Sequence, residues 1–204
     1  MRKLSASNEG LYIEKKSKFI CHLYKVKDET EIQVILKAEK KKYFDAKHHC
    51  YAYVLGETGA LVKCNDDGEP SQTAGKPMLD ILQKEGFTDI LCVVIRYFGG
   101  TLLGTGGLVR AYSEALKDAI DKSEFVNEIP AVIVEYKYAY NFDAKIASYL
   151  RDNGIKILGT EYSDSINLKI ALPEGDFEKT GTDLVNITNG SIEELSKEKC
   201  MYSF

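Results

Sequence analysis

A glycine-rich segment between Arg96 and Arg110 has the composition of an anion-binding loop. It follows the apolar run Ile90–Ile95, which is typical of a strand buried on both faces. It precedes apolar residues at helical spacing, so we expect unpaired backbone N–H groups at a helix start, where phosphate and carboxylate groups bind. The loop residues that we assign to this site, together with the two arginines, are Gly99, Gly100, Gly104, Gly106 and Gly107.

A second polar segment, residues 66–76, carries three carboxylates within four residues. Such carboxylates could hold magnesium or act as a general base, because hard cations prefer oxygen ligands and crowded carboxylates shift each other's pKa values. For this segment alone the favoured interpretation is a turn, since the same residue types bond their own backbone. If both loops lie at one end of a sheet, carboxylates and cations would face one groove. The candidate binding residues of this segment are Asp66, Asp67, Glu69, Ser71, Thr73 and Lys76.

Two adjacent histidines, His48 and His49, lie on a predicted strand. Neighbouring strand residues point to opposite faces, so the pair is not expected to bind one metal ion. His49 would share a face with Tyr51 and Tyr53, and such a face can stack unpaired bases. The alternative, which we favour, is a sheet face packed under a helix. We assign no catalytic residue and no metal ligand, and we keep His49 as a candidate binding residue.

The glycine-rich segment resembles two nucleotide-binding motifs, the P-loop and the dinucleotide-binding loop, but lacks a residue that each requires. The spacing of Gly99, Gly104 and Thr105 is close to that of a P-loop, but no lysine precedes Thr105. Val109 stands where a dinucleotide-binding loop requires its last glycine. The sequence therefore predicts no cofactor.

Composition describes an ordinary globular protein, with 44% hydrophobic and 28% charged residues in 204. No apolar run is long enough to span a membrane and the basic N-terminus leads into charged sequence, so we expect a cytoplasmic protein without a secretory signal. The five cysteines are scattered, which argues against a disulfide framework or a structural zinc site.

Charge is unevenly distributed along the chain. Residues 1–125 hold 19 Lys and Arg against 18 Asp and Glu, whereas residues 126–204 hold 8 against 13. A nucleic-acid contact would therefore belong to the first part.

Apolar periodicity predicts an α+β chain of two domains, residues 1–125 and residues 130–204. A boundary is expected between Ser123 and Pro130, where a long helix has ended and a proline precedes a new strand. The second part has the order βαββαβ, which fits a ferredoxin-like sandwich. In the first part we predict strands at 11–14, 17–26, 48–55, 60–65 and 90–95, and helices capped by Asp28, beginning near Lys76 and following the glycines.

Three motifs closely resemble the IMPACT/YigZ family, namely Asn65–Pro77, Arg96–Gly100 and Leu103–Tyr112. The resemblance covers residues 1 to about 122, and the remainder is similar to the C-terminal domain of bacterial YigZ-like members. It implies a first domain of the ribosomal protein S5 domain 2-like kind, similar to the fourth domain of elongation factor G, and a second similar to that factor's fifth. Gln72 stands where relatives often have glycine, and Thr101–Leu102 where they often have Ile-Lys, which removes one possible anion-binding lysine.

The resemblance also implies a role near translation. We therefore expect a non-enzymatic protein that binds RNA, the ribosome or another phosphate-bearing ligand through the two loops. One alternative is an enzyme acting on a phosphorylated or nucleotide substrate, possibly with magnesium. Another is a scaffold that binds only protein partners.

Overall fold

The chain forms three hydrophobic cores, two before residue 128 and one after it. The computed structural model describes residues 1–204 and divides into two units, Met1–Asn127 and Glu128–Phe204. Both units mix helices and strands, so the predicted α+β class is confirmed. No helix combines the length and the apolar character needed to cross a membrane.

The first unit contains seven strands and three helices. Its strands are β1 (Arg2–Ala6), β2 (Gly10–Glu14), β3 (Ser17–Lys25), β4 (His48–Leu55), β5 (Leu61–Asn65), β6 (Ile90–Tyr97) and β7 (Glu124–Asn127). Its helices are α1 (Glu29–Lys42), α2 (Gly75–Lys84) and α3 (Gly104–Lys122).

A five-stranded antiparallel sheet, in the order β2-β3-β6-β4-β5, organises this unit. The central strand β6 is buried from Ile90 to Arg96, as its apolar run predicts. Helices α2 and α3 pack on one face through residues such as Met78 and Leu116, and α1 packs on the other through Ile32. Two helical layers therefore hold the end of β6, where the glycine-rich loop begins.

Helix α1 begins as the sequence predicts. The Asp28 side chain accepts a hydrogen bond from the Glu31 N–H at 2.9 Å, and the Glu31 carboxylate accepts one from the Lys27 N–H at 2.8 Å. These bonds satisfy backbone donors that a helix start leaves unpaired.

Strands β1 and β7 were not predicted. They pair with each other as a separate antiparallel ribbon, and Arg2 lies over the Phe87 and Phe125 rings at 4.6 and 5.1 Å. Both strands are short and lack regular apolar alternation, which explains why the sequence pattern did not reveal them.

The second unit contains four strands and two helices in the predicted βαββαβ order. They are β8 (Ile129–Tyr138), α4 (Asp143–Asp152), β9 (Lys156–Tyr162), β10 (Ile166–Pro173), α5 (Phe177–Ile187) and β11 (Glu193–Tyr202). The antiparallel sheet has the order β11-β8-β10-β9, which is the ferredoxin-like arrangement. Val134, Leu168 and Ile170 pack against Ile146 and Leu184 from the helices, so one face of the sheet forms the core.

Candidate functional site

The glycine-rich loop connects β6 to α3 along a path that needs glycine at two positions. A Cβ on Gly99 would lie 2.1 Å from the Lys16 carbonyl carbon and 2.3 Å from the Ser17 nitrogen. The Gly99 N–H donates to Ser17 Oγ at 3.1 Å. Gly104, the first residue of α3, has φ +74°, which a β-carbon disfavours. The glycines thus bring the chain against β3 and turn it into the helix.

The start of α3 is open to an anion. No side chain caps it, and its first turn carries no acidic residue. The first-turn N–H groups therefore keep their partial positive charge at the end of a 19-residue helix.

Asp66 organises residues 66–76, which we call the acidic loop, through hydrogen bonds within the chain. Its Oδ1 accepts hydrogen bonds from the Ala74 and Gly75 N–H groups at 3.0 and 2.8 Å, and its Oδ2 accepts one from Gln72 at 2.8 Å. The carboxylate thus pairs backbone donors at the start of α2, where the helix dipole also favours negative charge.

Asp67 is likewise committed to internal contacts. Its Oδ1 accepts from Lys40 Nζ at 2.9 Å, and its Oδ2 accepts from the His49 N–H at 2.7 Å. Partial burial raises the pKa of Asp67, but these two hydrogen bonds outweigh that effect and hold the pKa below its usual value. Asp67 therefore ties α1 and β4 to the acidic loop.

Glu69 and Arg96 form an almost fully buried ion pair. Their side chains are 3% and 6% exposed, and Glu69 Oε1 accepts from Arg96 Nη1 at 2.6 Å. The same oxygen accepts a hydrogen bond from the Tyr112 hydroxyl at 2.8 Å. Arg96 Nε is buried and has no hydrogen-bond partner. The guanidinium is thus held in place and still has an unused donor.

The two loops meet at a cavity of about 360 Å³, which we call the loop cavity. The acidic loop contributes Glu69 to its wall, β6 contributes Arg96, and the start of α3 contributes Gly104 and Thr105. Phe98 and Leu102, which are 49% and 82% exposed, form an apolar part of the lining. Segments separated by about 30 residues in the sequence therefore share one concave surface.

His48 also lines this cavity, and the sequence analysis did not select it. Its Nδ1 lies 2.9 Å from the Asp67 carbonyl oxygen. Because a carbonyl only accepts, Nδ1 carries the proton, and in the neutral ring Nε2 is an acceptor. Nε2 lies 4.0 Å from Glu69 Oε1. His48 therefore offers the cavity a base, or a cation when protonated.

His49 lies on the other face of the sheet. Its Nε2 is 3.1 Å from the Tyr43 carbonyl oxygen, and the residue is 5% exposed. Tyr53 and Tyr51 pack with the α1 core on that face, as the favoured interpretation predicted. The signal that separates the two histidines is strand alternation, which places His48 on the face of Cys50 and Ala52, toward α2 and α3.

The other predicted site residues lie outside the loop cavity. Lys76 is exposed and pairs with Asp80 at 2.6 Å, while Thr73 is buried and donates to the Pro70 carbonyl at 2.6 Å. Ser71 and Arg110 are exposed. The cavity thus gathers Glu69, Arg96 and Gly104 from the predicted set, and those outside it are Asp66, Asp67, Ser71, Thr73, Lys76, Gly99, Gly100, Gly106, Gly107, Arg110 and His49.

The side chains around the loop cavity do not favour metal binding or thiol chemistry. No group of three or more His, Cys, Asp or Glu side chains is placed to hold a metal ion. Burial raises the pKa values of the Cys50 thiol and the Tyr112 hydroxyl well above neutral, so neither is a ready nucleophile. The groups suited to a ligand are cationic or are N–H donors.

Comparison with known proteins covers both units. Residues 15–120 match the family model of the Impact N-terminal domain, and residues 139–191 match a domain of unknown function, DUF1949. IMPACT family member YvyE of Bacillus subtilis is 38% identical over 185 residues, or 91% of this chain and 85% of the relative. IMPACT family member YigZ of Escherichia coli is 33% identical over 187 residues, or 91% of this chain and 92% of the relative.

A solved structure adds a likeness in fold. The crystal structure of a hypothetical protein matches this chain at 32% identity and a TM-score of 0.59, covering 96% of both chains. The sequence matches span most of the chain, both motif-bearing loops included. The chain therefore belongs to the IMPACT family.

Proposed function

We propose that this protein is a translation-associated regulator whose first unit binds a phosphate group of RNA or of a ribosomal particle in the loop cavity. The translational setting comes from the family resemblance of the two loops. The observation that carries the ligand chemistry is the buried Arg96 side chain, which has an Nε without a partner and lines a cavity that also contains the uncapped start of α3.

A phosphate group would complete this set of donors. Its oxygens would accept from Arg96 and from first-turn N–H groups of α3, because a helix start and a guanidinium both favour an oxyanion. Protonated His48 would add a third donor. Glu69 opposes an anion only weakly, since its Oε1 is paired with the Arg96 guanidinium and also accepts from Tyr112.

The apolar part of the lining favours a nucleic acid over inorganic phosphate. The Phe98 ring is half exposed, and its centroid lies 5.6 Å from Arg96 Cζ. An exposed ring beside a cation is the usual platform on which single-stranded nucleic acids stack a base. One nucleotide would thus place its phosphate inward and its base on Phe98.

A second candidate function is an enzyme acting on a small phosphorylated or nucleotide substrate. It is favoured by the cavity volume of about 360 Å³, which is that of a small-molecule site, and by His48, whose tautomer leaves Nε2 available as a base. Magnesium assistance has no cluster of ligands to support it.

The test is a charge introduced at Thr105, which lies in the first turn of α3 and is exposed. In Thr105→Glu, a carboxylate at the helix start interacts favourably with the helix dipole and repels a bound phosphate. We expect RNA or ribosome binding at low salt to weaken at least tenfold, whereas Thr105→Gln, which lacks the charge, stays within twofold. Circular dichroism and the unfolding midpoint check that both variants fold.

The outcomes separate the two functions. RNA binding that is unchanged in Thr105→Glu contradicts a phosphate site in the loop cavity. Saturable binding or turnover of a phosphate monoester, with no affinity for RNA, favours the enzyme. Arg96→Ala is a poorer test, because it leaves the Glu69 charge buried without its partner, which costs about 3–5 kcal/mol of stability.

A further inference from the structure

The second unit has a cavity of its own, which no part of the proposed function uses. It lies between α5, β8 and β11 and has a volume of about 390 Å³; we call it the α5 cavity. The lining residues that matter here are Tyr136, Phe177, Glu178, Gly181 and Glu194.

Tyr136 supplies a polar group without a partner. The residue is 4% exposed, and its hydroxyl makes no hydrogen bond within the unit. Other tyrosines of the same core behave differently, since Tyr138 donates to Asp143 at 3.0 Å and Tyr149 donates to Asp183 at 2.7 Å. The side chain borders the α5 cavity, so the Tyr136 hydroxyl has bonding capacity left for a ligand there.

The charge in this cavity is negative. Glu178 and Glu194 both line it, and neither forms an ion pair. Burial, with smaller contributions from Glu194 and Glu178, raises the pKa of Tyr136 to about 12. Both carboxylates are therefore close enough to act on the hydroxyl. The unit as a whole holds 13 Asp and Glu against 8 Lys and Arg.

An ammonium group already lies against one part of this surface. Lys197 Nζ is 3.6 Å from the centroid of the Phe177 ring, and aromatic faces attract cations. On β11, Lys197 is paired with Val134, whereas Glu194 is paired with Tyr136 on the same face of the sheet. The chain's own lysine thus shows the type of group that this aromatic and acidic surface accepts.

We propose that the α5 cavity binds an alkylammonium group, the chemistry shared by a partner's lysine side chain and a free polyamine. The ammonium donates a hydrogen bond to the Tyr136 hydroxyl, and Glu178 and Glu194 balance its charge. This site shares no residue with the loop cavity, so each proposal can be contradicted without affecting the other.

The experiment titrates the full-length chain with two probes, spermidine and a Gly-Lys-Gly peptide blocked at both ends, followed by NMR shifts and calorimetry. We expect Glu178→Gln and Glu194→Gln each to weaken binding at least fivefold. Glu161→Gln is the matched control, because it removes the same charge from an exposed position of β9 outside the cavity. It should change the affinity less than twofold.

A second variant separates loss of binding from loss of folding. A Cβ on Gly181 would lie 3.7 Å from Tyr136 Oη with no closer contact, so Gly181→Ala fills the space beside the hydroxyl. Alanine is also the better helix former. We expect a higher unfolding midpoint together with weaker binding of the probe.

Binding of either probe with this pattern of variants supports the proposal, and the tighter probe identifies the source of the ammonium group. The proposal is overturned if neither probe saturates, if Glu161→Gln costs as much affinity as the cavity variants, or if Gly181→Ala binds like the parent protein.

Discussion

At the scale of single residues, the loop cavity depends on Gly99, where an added Cβ would change the path of the chain. Gly99 lets β6 leave the sheet against the backbone of Lys16 and Ser17. That contact fixes where the loop begins, and so where α3 points its N–H groups. The residue acts by the absence of a side chain.

Substituting Gly99 by alanine should lower the free energy of unfolding by about 1–3 kcal/mol, because the new Cβ overlaps backbone atoms that cannot move aside. Chemical denaturation measures this loss. Gly106→Ala is the control within the same segment: its Cβ would meet no atom within 4 Å, and alanine favours a helix by up to about 1 kcal/mol. Equal stability of the two variants would contradict the close approach at Gly99.

The sequence predicted part of this site, and the residues show why it predicted no more. Glycines and three carboxylates identified both loops, because their composition is local information. The roles of Asp66 and Asp67 could not be predicted, since their partners Gly75, Lys40 and His49 are set by tertiary packing. His48 was missed because the tyrosines that share a face with His49 favoured His49, and only the folded sheet shows which face carries the cavity.

At the scale of elements, two polar contacts position the helices around the sheet. Asp66 holds the start of α2, and the pair His22 and Glu39 joins β3 to α1, with His22 Nδ1 2.8 Å from Glu39 Oε2. The helices α1, α2 and α3 were predictable from apolar spacing and capping residues. The ribbon of β1 and β7 was not, because it depends on pairing between residues more than 100 positions apart.

Asp66→Ala should destabilise the first unit by at least about 2 kcal/mol, because three backbone N–H groups lose their acceptor. The free energy of unfolding from urea denaturation tests this. Asp80→Ala in the same helix removes only the partner of Lys76 in an exposed pair, so its effect should stay within about 1 kcal/mol. If Asp66→Ala is as mild as this control, the carboxylate does not organise the helix start.

The contact between β3 and α1 predicts a dependence of stability on pH. Burial lowers the pKa of His22, but hydrogen bonds with Glu39 and Glu9 outweigh it and raise the pKa above the usual value. A raised folded pKa means that the stabilisation is full below about pH 6.5 and is lost as the pH rises through the folded pKa. The free energy of unfolding should fall by on the order of 1 kcal/mol across that range.

The variant His22→Asn should remove most of this slope when unfolding is measured in steps of pH. Glu9→Gln should keep most of it, because Glu9 is 54% exposed and the buried partner Glu39 remains. Below this range the same contact weakens again: burial raises the pKa of Glu39, but the bonds from His22 and Tyr24 lower it overall. Its stabilisation is thus lost on acidification. An unchanged slope in His22→Asn would assign the pH dependence to other groups.

At the scale of the whole molecule, the two units differ in charge as well as in fold. The first has nearly balanced charge and the proposed phosphate site, whereas the second is acidic and has the proposed ammonium site. Folds of both kinds serve many unrelated functions, so the architecture alone does not assign either ligand. The charge distribution supports the proposed phosphate site of the first unit and the proposed ammonium site of the second.

This division predicts how RNA binding changes when the acidic unit is removed. The fragment 1–127 contains the whole loop cavity and its own core, and it lacks the 13 Asp and Glu that outnumber 8 Lys and Arg in residues 128–204. At about 50 mM salt it should bind RNA several times more tightly than the full chain, because less negative charge repels the phosphates. The difference should shrink toward about 200 mM salt, where screening is stronger.

Filter binding at a series of salt concentrations measures the affinity of the fragment and of the full chain for RNA. Circular dichroism and a cooperative unfolding transition first establish that the fragment is folded. Weaker binding by the folded fragment would place part of the RNA contact in the second unit, against the division that the charges imply.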